Sequence, residues 1–265
     1  MKYFVTFILV LIFVIFLPTN NIIAQTTIPP TMIYVKGGSF KMGSNNGYPD
    51  ERPVHNVNLS DFYISKYEIT VAQYRAFCNA TGHKMPIDPN KAWYEEHDNA
   101  VKWQWIDTYP IVYVTYYDAI AFCKWLSETT HETYTLPTEA QWEYAARGGN
   151  QSKNYKYSGS NNIDEVAWYD ETTNEKGLRS VGKLKPNELG IYDMSGNAWE
   201  WCLDFYGTYP SSSQRNPQGP SKGDFRVIRG GSWYYSEDMT KVTSRDGPKP
   251  TFTNYNYGFR VVKKK

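Results

Sequence analysis

Sulfur and histidine are scarce in this chain of 265 residues. There are three cysteines, Cys78, Cys123 and Cys202, and no Cys-x-x-Cys pair. The four histidines, His55, His83, His97 and His131, never fall at a short metal-ligand spacing, so no local motif builds a histidine-held zinc or iron centre. The odd cysteine count allows at most one internal disulfide. Cys78 with Cys123 is the pairing two neighbouring helices would favour, and buried free thiols are the standing alternative. Charge of one sign is lacking too: 28 Lys and Arg stand against 27 Asp and Glu, so no global field draws the chain to nucleic acid or an anionic membrane. The one long apolar run, residues 4–17, is shorter than the roughly 20 residues that span a bilayer as a helix.

That run reads as an export signal, with an uncleaved anchor as the alternative. Lys2 supplies a positive start, Pro18 ends the apolar stretch, and Ala24 before Gln25 offers a small residue for cleavage. No cysteine follows to take a lipid. Residues 1–24 are therefore expected to leave, with no membrane span remaining, and residues 25–265 to form a single periplasmic or secreted domain. Aromatics are abundant, at 17% of the chain with 23 Tyr and 9 Trp. Large amphipathic rings at that density, with scattered Gly and Pro, point to a loop-rich fold whose irregular segments are pinned by buried rings.

Short strands are expected over residues 32–35, 39–42, 54–59 and 62–64, and again over 198–203, 225–228 and 257–262. Three helix starts are written locally. Thr70 with Gln73 and Thr138 with Gln141 form capping boxes, and Thr115 precedes Asp118 by the same spacing. They place Tyr74, Phe77 and Cys78, then Ala119, Phe122, Cys123 and Leu126, then Trp142 and Ala145, on buried faces, and Gly148-Gly149 stops the third helix. Asp50-Glu51-Arg52 reads as a surface turn. Residues 150–188 read as long ordered loops. Mixed short strands, two or three helices and long loops give an α+β class.

The densest chemistry lies in Asp193-Met194-Ser195-Gly196-Asn197-Ala198-Trp199-Glu200-Trp201. Two carboxylates seven residues apart flank a glycine that lets the chain turn its carbonyls inward. Asp193 and Glu200 side chains with the Gly196 and Ala198 carbonyls would suit a hard cation such as calcium. The plainer alternative is a solvated turn followed by a core strand.

This run resembles the Gly-Asn-x-Trp-Glu-Trp hallmark of the formylglycine-generating enzyme, or sulfatase-modifying factor, family. Three further blocks resemble it in order: Gly37-Gly38-Ser39-Phe40-Lys41-Met42-Gly43-Ser44, the stretch from Leu136-Pro137-Thr138-Glu139 to Arg147-Gly148-Gly149, and Arg229-Gly230-Gly231-Ser232-Trp233 with Ser244-Arg245 and Gly258-Phe259-Arg260. The resemblance implies a variant of the C-type-lectin-like fold with bound calcium on Asp193, Gly196, Ala198 and Glu200. A second calcium position of the family has no match near residues 166–168.

Members that make formylglycine carry a cysteine pair after the Gly-Gly-Ser turn, where thiolates hold copper and exchange with the substrate thiol. Those positions fall on Tyr235 and Thr240 here. Formylglycine formation and copper are therefore not expected. The resemblance leaves two classes of function: a non-catalytic protein binding a peptide, glycan or exported protein, or an oxygen-dependent oxidoreductase on a peptide or siderophore-type substrate using Tyr235 or a recruited metal. For the first, Ser232, Trp233, Tyr234, Tyr235, Arg245 and Arg260 are the candidate ligand cleft. Simple packing of those rings, with arginines on backbone carbonyls, is the alternative.

Overall fold

Three threonines start the three long helices. In the computed structural model, which describes residues 28–87, 105–173 and 177–265, helix α1 spans Val71–Thr81, α2 Tyr116–Thr130 and α3 Glu139–Ala146. The side chains of Thr70, Thr115 and Thr138 each accept the amide three residues on, and Gln73, Asp118 and Gln141 accept the threonine amide in return. Each box satisfies two backbone donors that a helix start leaves open. A short fourth helix, α4, covers Asp170–Thr173. The expected signal segment and His97 lie outside the described residues. Among the described residues no helix is long and apolar enough to cross a membrane.

Eleven short strands are described, in three sheets. Strands β1 (Met32–Val35), β4 (Phe62–Ser65), β11 (Val262–Lys264) and β5 (Tyr134–Thr135) form the first, in that spatial order. The second runs β10 (Tyr257–Gly258), β6 (Trp199–Phe205), β8 (Arg226–Arg229), β9 (Arg245–Asp246). The third is β2 (Gly38–Met42), β3 (His55–Leu59), β7 (Gln214–Arg215). With few long elements and wide loops, the fold is α+β.

The single strand expected over residues 257–262 is instead two. Tyr257 and Gly258 pair with Trp199 and Glu200 in the second sheet, while Val262 pairs with Ile64 and Thr135 in the first. Between them Phe259, Arg260 and Val261 cross from one sheet to the other and are fully buried. The residue pattern does not reveal such a switch, because buried residues run without a break from Tyr257 through Phe259, Arg260 and Val261 to Val262.

One core lies between α1, α2 and β6, with Tyr74, Phe77, Phe122, Trp199, Trp201 and Phe259 buried together. A second holds Val57, Ile64, Trp142, Tyr144, Val227 and Val262 around α3. Helix α3 differs from its expected two-residue face: Glu139, Ala140, Trp142, Glu143, Tyr144, Ala145 and Ala146 are all buried. A helix buried on almost every side must neutralise its charges internally, and arginines from β8 and β9 do so. Arg229 pairs with Glu143, and Arg245 with Glu139 through contacts of 2.7 and 2.8 Å.

The surface role expected of residues 50–52 fails at Glu51, which is 1% exposed. Its Oε1 accepts the Tyr48 amide at 3.0 Å, folding the side chain back over its own turn. In the described part of residues 150–188 the expected ordered loops gather around Tyr157, Ile163, Val166, Ala167 and Tyr169. Cys78, Cys123 and Cys202 are free, buried thiols.

The cap of α3 supports a helix that carries two buried acids. Thr138→Ala is expected to destabilise the protein by about 1 kcal/mol. Urea unfolding should show a lowered midpoint with an unchanged slope; an unchanged midpoint would mean the cap contributes nothing.

Candidate functional site

Residues 193–197 turn sharply because three of five are left-handed: Asp193 at φ 56°, Gly196 at 78° and Asn197 at 62°. Gly196 is required there. A Cβ would stand 2.1 Å from the Trp168 carbonyl oxygen, which instead accepts the Asn197 amide at 2.8 Å. The turn thereby lies against the 163–173 loop and feeds directly into β6, so Asp193 and Glu200 fall in one buried region.

Three buried carboxylates, Asp193, Glu200 and Glu68, act electrostatically on one another here, and one guanidinium serves Glu200. Glu200 accepts Nε of Arg260 at 2.6 Å and Nη2 at 2.7 Å, and its Oε2 also accepts the Trp142 indole N–H at 2.7 Å. Arg260 spends its remaining donors on the Ser65 and Tyr192 carbonyls, at 3.0 and 2.9 Å. Glu68, 1% exposed, accepts the Ala198 amide at 3.0 Å and the Asn197 side-chain amide at 2.7 Å. Asp193 accepts the Gly182 amide at 2.6 Å. Burial drives the Glu68 carboxyl well above the usual carboxylate range, and repulsion from Asp193 and Glu200 adds to it. Burial likewise pushes Asp193 up to about 6, against the pull of the Gly182 amide and Arg260. Negative charge thus exceeds what Arg260 neutralises.

Such a donor set, all oxygen, is the chemistry of a hard cation. Among the described residues no three His, Cys, Asp or Glu side chains converge as a metal cluster, so the Gly196 and Ala198 carbonyls would have to complete any shell. Glu68 was not among the expected site residues, and Arg260 was expected in the ligand cleft, not forked onto Glu200. Their partners are 60 to 130 residues distant in sequence, and no local pattern announces such pairs.

The Gly-Gly-Ser turn holds the second group. Ser232 and Trp233 are fully buried, with the Ser232 hydroxyl accepting Asn256 Nδ2 at 3.0 Å. Tyr234 is 39% exposed and Tyr235 half-buried. The Tyr235 ring stands edge-on to Trp199 at 5.7 Å, and burial raises its phenol, with Asp246 and Tyr234 adding to the effect. Thr240 is fully buried at the end of the 3-10 turn Glu237–Thr240, and its hydroxyl donates to the Glu237 carbonyl at 2.9 Å. Burial holds all three thiols in the protonated form: Cys78 is raised, Cys123 strongly so, and Cys202 well above its ordinary value.

The six residues expected to line a cleft do not come together. Arg245 is 5% exposed and forked onto Glu139; Arg260 is fully buried on Glu200. Both guanidinium groups are consumed by internal carboxylates, and the Trp233 indole belongs to the core. What faces outward is Tyr234, flanked by Tyr235 at 6.2 Å and Tyr255 at 5.5 Å between ring centres.

A family model described as the sulfatase-modifying factor enzyme 1-like domain matches residues 20–265. The chaperone protein LppX of Paenibacillus barcinonensis is 33% identical over 290 aligned positions, covering 91% of this chain and 92% of that protein. The formylglycine-generating enzyme of Streptomyces coelicolor is 30% identical over 283, covering 87% and 88% respectively. Among solved structures, Treponema denticola variable protein 1 superposes with a TM-score of 0.75 at 26% identity, covering 90% of this chain and 98% of that one. The expected formylglycine-generating-enzyme variant of the C-type-lectin-like fold is the fold found.

The Glu200–Arg260 pair allows a decisive measurement. Arg260→Met leaves a buried carboxylate without its cation and is expected to cost about 3–5 kcal/mol. The double variant Glu200→Met with Arg260→Met should recover much of that loss in chemical denaturation. A double variant no more stable than the single would show that the pair's geometry, rather than uncompensated charge, sets the cost.

Proposed function

Because the chain belongs to the sulfatase-modifying factor enzyme 1-like family, we propose that it is an exported, calcium-stabilised binding or accessory protein of that family without formylglycine-generating activity. The observation that carries this is at two positions. Where the family's chemistry needs paired thiolates, Tyr235 packs its ring on Trp199 and Thr240 closes its own turn. A phenol and a hydroxyl neither hold Cu(I) as thiolates do nor form a mixed disulfide with a substrate thiol. The three cysteines that exist are buried and protonated, so none offers a substitute nucleophile.

A relative named as a chaperone, matched over nearly its whole length, supports an exported polypeptide as the partner. The exposed Tyr234 ring, with Tyr235 and Tyr255 beside it, supplies contact area suited to peptide or glycan. The apolar segment before Gln25 supports export. Calcium would be held by Asp193 and Glu200 with the Gly196 and Ala198 carbonyls. Its charge would offset the mutual repulsion of Asp193, Glu200 and Glu68, and it would stabilise the folded form by binding only there.

A cysteine-containing sulfatase-type peptide, incubated with the protein, copper and oxygen, is expected to emerge unchanged by mass spectrometry. An aldehyde product would overturn the non-catalytic assignment and favour the oxidoreductase. Tyr234→Ala should weaken capture of the exported partner while leaving the melting temperature unchanged. Calcium has its own readout: adding chelator should lower the melting temperature of the wild type and not of Glu200→Ala. Identical shifts in both would remove calcium from these residues.

A further inference from the structure

On the side of the molecule formed by β3, β9 and the start of α3 is a cavity of about 290 Å³. That is close to the lower end of small-ligand pockets, roughly 300–1,000 Å³, and holds a small molecule or one side chain. Its walls include Met42, Tyr209, Pro210, Pro217 and Pro220, and its floor is polar: Glu139, Asp204 and Arg245. None of these residues belongs to the Asp193 turn or the tyrosine surface.

The floor has one carboxyl outside the Arg245–Glu139 fork. Arg245 gives Nε and Nη2 to Glu139 and Nη1 to the Asp50 and Gly207 carbonyls, so it has little left for an anion. Glu139 is taken by that fork and by the Tyr209 hydroxyl at 2.8 Å. Asp204, 3% exposed, has no guanidinium or ammonium partner among the described residues; its Oδ2 accepts the Glu139 amide at 2.9 Å. Above its other oxygen lies the strap of residues 217–220. Gly219, at φ 69°, allows that approach, since a Cβ there would fall 2.9 Å from the Asp204 Cβ and 3.2 Å from Oδ1.

We propose that this cavity binds a primary alkylammonium group, carried by a free amine or by a lysine side chain, with Asp204 as its counter-charge. Apolar walls fit a methylene stem, as amphipathic cations bury their stems and present the charged head to a polar partner. An ammonium suits the site better than a guanidinium. The planar fork wants both carboxylate oxygens, and one of them is already held by the Glu139 amide.

The titration of Asp204 gives the test its sign. Burial pushes its carboxyl up to about 8, repulsion from Glu139 adds to this, and the Glu139 amide and Arg245 oppose it. The groups facing it are Glu139 on α3, Arg245 on β9, Tyr209 and His55 on the cavity wall, Cys202 on β6 and Tyr116 at the start of α2. The empty pocket therefore carries a neutral acid at pH 7, and a bound ammonium expels that proton. Affinity should rise with pH, by roughly tenfold per unit from about pH 6 to about pH 8, and then level off.

Calorimetric titration of the mature chain with n-butylammonium chloride, with a peptide bearing one lysine, and with neutral n-butanol tests this. Saturable binding of either cation with that pH profile, and none of butanol, supports the site. Tighter binding of the peptide assigns a lysine side chain, and tighter binding of the free amine assigns a small amine. Asp204→Asn should weaken either at least tenfold and flatten the profile. It should melt no lower than wild type near pH 6, because the amide oxygen still accepts from Glu139. Thr208→Trp, at the exposed rim, should weaken binding without touching the carboxylate. No saturable cation binding, a flat wild-type profile, equal binding of butanol, or wild-type affinity in Thr208→Trp would each overturn the proposal.

Discussion

The Glu200–Arg260 fork is the contact on which the two four-stranded sheets depend. Arg260 sits where the chain leaves one sheet for the other. From there its guanidinium binds β6 through Glu200, β4 through the Ser65 carbonyl and the acidic turn through the Tyr192 carbonyl. Glu200 in turn holds the Trp142 indole, and with it α3. One buried pair thus fixes four segments. Its Coulomb energy roughly offsets the cost of desolvating both ions, so its effect is better described as choosing one arrangement than as adding net stability.

A second network repeats the device on the other side of α3. Glu143 and Glu139 meet Arg229 and Arg245, and Arg229 also donates to the Val242, Thr243 and Ser244 carbonyls. A loop-rich fold has many backbone carbonyls that no ladder satisfies, and each buried one left unpaired would be costly. A guanidinium anchored by a carboxylate can serve several at once. The fold therefore tolerates long irregular segments while keeping few regular elements.

These networks explain what could be read from the chain and what could not. The helix starts were legible because a capping box spans four residues, and Thr70, Thr115 and Thr138 all behave as their spacing implies. The buried faces of α1 and α2 were legible from helical period. The pairings of Glu68 with Ala198, Glu200 with Arg260 and Arg245 with Glu139 were not, since each spans 60 or more residues and any arginine could have served any acid. For the same reason Arg245 and Arg260 looked available to a ligand. The inward fold of Glu51 and the sheet switch at Arg260 escaped because neither leaves a periodic trace. The Asp204 cavity escaped as well: its walls come from β3, α3 and the 207–220 loop, and only the fold assembles them.

The separation of framework from chemistry follows from the same geometry. Arg229, Glu143, Glu200 and Arg260 spend their polar atoms on one another and on backbone, whereas Tyr235 and Thr240 lie on a turn that those pairs support without using it. Residues at 235 and 240 can change without unpairing a buried charge. Changing any member of the framework would strand one, at a cost of several kcal/mol. The two kinds of position are thus under different physical constraint: framework residues can change only together with their partners, so that no charge is left stranded, while residues 235 and 240 can change singly. A shared fold across relatives of different named roles is the expected result, and activity has to be judged at the turn itself.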